Sequence, residues 1–362
     1  MFKQSDPLRG LFGVVLSLLL VALIGRFMIA GKSFLLPIII AVISVYVLTA
    51  ATEALRGLAL TRRFPEWSLR AIVLAGFLVV ALWLGGIMVS TAGEVSDRMP
   101  EYQANISGLY DQITDMLGFT ASPDLREVFD NLRASIPLEE LAGVILGSIS
   151  SAAGLLFMVV VYAIFLMSER RGFAHKVAVA LPGGRAERAG QIIAQINGAI
   201  SDYIAVKTLV NAMLGLISFC AMWAIGVDFA LFWAILIALL NYIPYVGSML
   251  GVVFPVVLSM AQFGSVQTTL LIAALLTGAQ MWVGNVLEPR MVGQRVNLSP
   301  FVVLVALALW SSVWGIAGAI LAIPLTSIIA IIMRSFDSTR PFAVLIAHDV
   351  TPFETAPDPR RI

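Results

Sequence analysis

The second half of this 362-residue chain offers very few groups able to carry charge. Between Thr208 and Met333 only Asp228, Glu288, Arg290 and Arg295 are charged. An ionisable side chain in an apolar setting is costly to keep, so each of these is by default a functional hypothesis. Glu288 and Arg290 flank Pro289, and a residue before proline is pushed out of helical geometry, so the spacing predicts a helix ending at Glu288. Glu288, Pro289 and Arg290 have two readings: a gate or coupling pair beside a path, or a helix-end pair at an interface that orients the chain by its positive charge. Asp228, between two apolar runs, reads as a turn or helix cap.

Uncharged polar residues gather at two interruptions. Asn241, Tyr242, Pro244, Tyr245 and Gly247 form the first, where an amide, two phenols and freed carbonyls suit a polyol or a dehydrated cation. A tight structural turn is the plainer reading, since proline and glycine are turn residues anywhere. Ser311, Ser312 and Gly315 form the second, with Trp314 beside them, unless that tryptophan belongs to an interfacial aromatic belt. Gln280 and Asn285 lie between the two, five apart, and either line a path or bond helix to helix.

Other chemistries find no support. Cys220 is the lone cysteine and His175 and His348 are far apart, so neither a disulfide framework nor a protein metal centre is expected. Leu181-Pro182-Gly183-Gly184 lacks the lysine and strand context of a phosphate-binding loop. No nucleophile motif or His/Cys cluster points to an enzyme, and no cofactor is expected. A net charge of +1 gives no reason to expect nucleic acid.

The elements that must position these groups are membrane helices. With 59% hydrophobic and 12% charged residues the chain lies far outside soluble norms. Several uncharged stretches reach the roughly 20 residues that cross a bilayer. Lysine and arginine stay on the cytoplasmic side. Arg56, Arg62, Arg63 and Arg70 therefore mark an inner loop, and so do Arg170, Arg171, Lys176, Arg185, Arg188 and Lys207. Between Glu94 and Glu140 ten acids face three arginines, which marks an outer segment.

The expected organisation is three transmembrane helices in 1–92, an external acidic helical segment in 93–140 and a fourth helix in 141–167. A basic cytoplasmic loop with a helix follows in 168–205, then a core in 206–335 and a tail in 336–362, with both termini cytoplasmic. In the external segment Tyr102, Ile106, Leu109, Ile113, Met116 and Leu117 recur at helical steps. In the core, 59 uncharged residues from Phe229 to Leu287 are too many for two ordinary helices. They read as a re-entrant hairpin near 229–262, with arms of roughly 18 to 21 Å that fall short of the hydrocarbon thickness. Full-length helices kinked at proline and glycine are the alternative, which applies equally to 300–334. A second, oppositely inserted hairpin near 300–334 breaks at Ser311–Gly318 and Pro324. The fold class is all-α and polytopic, with about 8 membrane-embedded helical elements.

The runs VDFALFWAILIALLNYIPYVGSMLG (Val227–Gly251), GNVLEPRMVGQRVNLSP (Gly284–Pro300) and LWSSVWGIAGAILAIPLTSIIAII (to Ile332) carry a family resemblance. Through them the chain resembles the autoinducer-2 exporter family of bacterial membrane transporters. The likeness implies a multi-pass protein of the bacterial inner membrane that assembles as a homo-oligomer, a pentamer. It further implies a small polar solute or monovalent cation as the transported species, since some members look like exporters of autoinducer-2 and others resemble sodium or lithium antiporters. Members often carry Gly-Gln after the tyrosine before the fifth helix; here Tyr203 leads to Ala205-Val206-Lys207, so no role carries over to that spot. The expectation is a secondary transporter exporting a solute bound between two polar tips by alternating access. A cation/proton antiporter using Glu288 is one rival, and a channel-like oligomer the other.

Overall fold

A computed structural model describes residues 7–57, 64–117, 154–169, 176, 179–181, 184–292 and 297–354. Every regular element among them is helical. The helices are α1 (Pro7–Ala30), α2 (Lys32–Arg56), α3 (Glu66–Leu117), α4 (Gly154–Glu169) and α5 (Gly184–Ile225). There follow α6 (Ala230–Leu240), α7 (Val246–Phe263), α8 (Val266–Trp282), a π-helical turn (Val283–Leu287) and α9 (Glu288–Val292). The last are α10 (Pro300–Trp314), α11 (Ile316–Arg334), α12 (Arg340–Ile346) and α13 (Thr351–Glu354). Six segments are long and apolar enough to cross a membrane: Lys32–Glu53, Trp67–Val95, Gly184–Ile225, Val246–Phe263, Val266–Met291 and Ile316–Arg334. The chain is an integral membrane protein of the all-α class.

Two expected boundaries dissolve into continuous helices. The expected third crossing and the first part of the expected external segment, to Leu117, form one helix, α3, of 52 residues, about 78 Å at 1.5 Å per residue. The helix expected in 168–205 and the next expected crossing likewise merge in α5, 42 residues long. Both lengths exceed the roughly 30 Å hydrocarbon core, so each helix extends well outside it. Charge marks where a helix leaves the membrane but does not end it. All of the expected external segment beyond Leu117, and 141–153 of the expected fourth helix, lie outside the described residues.

The chain divides into two compact units. The first holds Met1–Tyr46, Leu156–Ile200 and Val296–Ile362. In it Ser299 caps α10 by accepting from Val302 N–H, and Pro300 follows where its missing N–H costs nothing. The α10–α11 hairpin turns at Gly315, whose φ of 66° suits glycine. Trp310 Nε1 donates across it to Thr326 Oγ1 at 3.1 Å. Trp314 is buried and donates from Nε1 to the Met28 carbonyl, one of the last, unpaired carbonyls of α1. It therefore packs inside the unit rather than in an interfacial belt. The tail hooks back on Asn297, whose Oδ1 accepts from His348 and Asp349 N–H while its Nδ2 donates to the Asp349 carbonyl.

The second unit holds Val47–Leu155 and Ser201–Arg295. Its core joins Val210, Leu214 and Met222 of α5 to Ala234 and Ile237 of α6, and to Ile272, Leu276 and Val283 along α8 and its continuation. Small residues let the backbones close up, as membrane helix pairs require. A Cβ at Gly215 on α5 would meet the Ala234 carbonyl and Ala238 Cβ, each at 3.1 Å.

Candidate functional site

Within the second unit the polar side chains of α5 share one face. Tyr203, Lys207 and Asn211 recur at steps of four, which stacks them along a helix, and all three are buried. The Lys207 ammonium donates to Glu288 Oε1 at 2.6 Å, with side-chain exposures of 4% and 29%. One turn on, Asn241 Nδ2 at the end of α6 donates to Asn211 Oδ1 at 2.8 Å. Ser248 Oγ on α7 donates to Asn241 Oδ1 at 3.4 Å. Thr208 donates its single hydroxyl proton to the Ile204 carbonyl, so in its 2.7 Å contact with Tyr242 the phenol is the donor. Tyr203 lies within electrostatic reach of both Glu288 and Tyr242.

Two buried amide donors of the second unit have no partner among the described residues: Asn211 Nδ2, in the polar row, and Gln280 Nε2 on α8. A buried unpaired N–H costs roughly 1–3 kcal/mol, which makes such donors informative about function. Gln280 Nε2 points at α7, where a Cβ on Gly251 would stand 3.2 Å from it. Glycine is what leaves the amide its room.

The turn between α6 and α7 is built tightly. Val246 N–H bonds the Pro244 carbonyl at 2.7 Å, and Tyr245 between them has φ 62° and ψ −57°. That is the γ-turn of the rare, strained hand. Gly247 then passes so near the end of α6 that a Cβ there would lie 1.8 Å from the Leu240 carbonyl oxygen. The first unit's hairpin uses the same device, since a Cβ on Gly318 would lie 1.9 Å from the Trp310 carbonyl oxygen. The arms are unequal in both: 11 and 18 residues in α6 and α7, 15 and 19 in α10 and α11. At 1.5 Å per residue α7 rises about 27 Å, longer than the sequence pattern predicts for an arm.

Glu288 is helical, with φ −60° and ψ −49°, and the helix does not end there. Its N–H reaches back five residues to the Val283 carbonyl, and this wide turn admits Pro289 without breaking the chain. The expected pairing with Arg290 does not form: residues two apart on a helix point to different sides, Arg290 is exposed, and Glu288 takes Lys207 instead. Of the residues singled out by sequence, the second unit gathers Asn241, Tyr242, Gly247, Gln280 and Glu288. Tyr245, Asn285 and Pro289 are exposed beside them. Ser311, Ser312 and Gly315 belong to the first unit, where both hydroxyls bond back to their own helix, to Ala308 O and Leu309 O.

Local spacing places Lys207 with a basic inner loop and gives neither it nor Asn211 a role in the site. Their position, as the last charge and the first amide where α5 enters its uncharged run, is the signal that could have found them. Arg98 was missed too. Asp228, expected as a cap, accepts both from Arg98 Nη1 and from the Tyr102 hydroxyl at 2.8 Å, while its N–H donates to Gln262 Oε1. Asn105 Nδ2 adds a bond to the Gln262 carbonyl at 2.7 Å. This knot ties the extension of α3 to the ends of α5 and α7. Burial, then the bond to Asp228 and that group's charge, hold the Tyr102 phenol well above its ordinary range.

The comparisons with known proteins bear on the same stretch of chain. The family described as AI-2E family transporter matches residues 12–337. The AI-2 transport protein TqsA of Escherichia coli strain K12 is 26% identical, covering 96% of this chain and 98% of its own. YhhT of the same strain, named as a candidate transport protein, is 28% identical over 76% of this chain and 78% of its own. A Haemophilus influenzae protein so named is 29% identical over 89% and 90%. Such proteins are transporters and permeases, not enzymes. With the match spanning both units and every residue of the polar row, the chain belongs to the AI-2E family of transporters.

Proposed function

We propose that this protein is a secondary transporter that exports a small polar solute across the bacterial inner membrane by alternating access, and that the solute binds in the second unit, where the polar face of α5 meets the Asn241–Gly247 turn. The observation that carries this reading is the pair of buried amide donors, Asn211 Nδ2 and Gln280 Nε2, that have no partner among the described residues. Donors fixed in this way suit the hydroxyl and carbonyl oxygens of a neutral solute. Autoinducer-2 is the first solute to try, because the relative TqsA is named for its transport. No covalent step is required. Lysine and arginine placement supports cytoplasmic termini.

Purified protein in proteoliposomes should carry autoinducer-2 saturably and faster than empty liposomes. No solute flux above empty liposomes would overturn the reading, and flux that never saturates would replace it with a channel. For orientation, a cysteine placed at Asp115 should label from outside the cell, and one at Arg188 only after permeabilisation; the reverse pattern would invert the topology.

A further inference from the structure

An intramembrane carboxylate beside a solute path is an attractive site for a monovalent cation. Glu288 has the qualities needed: it is the one carboxylate paired to the polar face of α5, it is partly accessible, and the Tyr203 phenol lies within its electrostatic reach. Yet its charge is already answered. The Lys207 ammonium donates to it at 2.6 Å from a side chain almost wholly buried. Lys207 is itself a cation tethered to the helix, and the pair as a whole is neutral.

We infer that Lys207 is a specificity-determining residue: its ammonium occupies the Glu288 carboxylate and keeps monovalent cations out of the path, so that a neutral side chain at 207 opens a sodium-class site at Glu288. This rests on the reading that the polar row of the second unit is the solute path. Removing the ammonium leaves a single negative charge with no other cation paired to it among the described residues. Arg290 is exposed and Arg98 is engaged by Asp228. One carboxylate balances one positive charge, which favours a monovalent over a divalent ion.

The test compares sodium with choline chloride at matched ionic strength, using thermal unfolding of the purified full chain, since a ligand bound to the folded state raises the melting temperature. Wild type should melt alike in both salts. Lys207→Gln should melt higher in sodium, or be recovered folded in sodium alone. The double variant Lys207→Gln with Glu288→Gln should lose that response, and Lys207→Arg should behave as wild type. A sodium response in wild type would overturn the inference. So would Lys207→Gln that melts identically in both salts, or that fails to fold in either while the double variant folds. None of these readouts needs the solute, so a failure of the export reading in liposomes stays separate from a failure here.

Discussion

The Lys207 ammonium stands 2.6 Å from Glu288 Oε1 and joins residues 81 positions apart. It ties the middle of α5 to the π turn that admits Pro289, and it places the only described ion pair within the polar row beside the Asn211–Asn241 contact. Because a buried charge left alone is expensive, Lys207→Met or Glu288→Gln alone should lower unfolding stability by about 3–5 kcal/mol. The double variant should recover most of that loss. Thermal or denaturant unfolding in detergent checks the cycle, and losses that simply add would contradict the pairing.

Both hairpins depend on a glycine passing over a carbonyl of the preceding arm. Gly247→Ala and Gly318→Ala should each cost more than about 3 kcal/mol, because the atom obstructing the new methyl is backbone and cannot swing away. Gly278 on α8 meets nothing within 4 Å of its would-be Cβ, so Gly278→Ala should be close to neutral in the same unfolding assay.

Much of this architecture was legible. Proline and glycine at Pro244, Gly247 and Gly315 mark both breaks, because few other residues tolerate such turns, and apolar length gave the helices. Other features were hidden for physical reasons. Glu288 and Lys207, like Asp228 and Arg98, meet only through tertiary packing, which local spacing does not encode. The rule that a residue before proline leaves the helix failed at Glu288, since one π turn absorbs the ring. Charge in the extension of α3 and in α5 reads as a boundary, although both helices run on through it.

Tyr245 holds a strained φ of 62° while its side chain is mostly exposed. Tyr245→Gly should therefore leave stability unchanged or raise it by up to about 1 kcal/mol, and Tyr245→Val should lower it. Melting temperatures of the two variants decide the matter.

The Tyr102–Asp228 bond predicts an alkaline limit. The phenol's folded value is raised, so its stabilising contribution is complete below the ordinary phenol value of about 10 and is lost as pH rises toward the folded value. Wild type should out-melt Tyr102→Phe by a constant margin at neutral pH, and that margin should shrink above pH about 10. A margin that grew with pH would refute the assignment.

The central claim is that Asn211 Nδ2 and Gln280 Nε2, which have no partner among the described residues, bind the solute, and Gln280→Leu tests it most directly. Its Nε2 has no described partner to lose, so the melting temperature should hold or rise. Saturable solute flux in proteoliposomes should fall about tenfold or more, the equivalent of 1.4 kcal/mol of lost interaction. Undiminished flux in a stably folded Gln280→Leu protein would contradict the account.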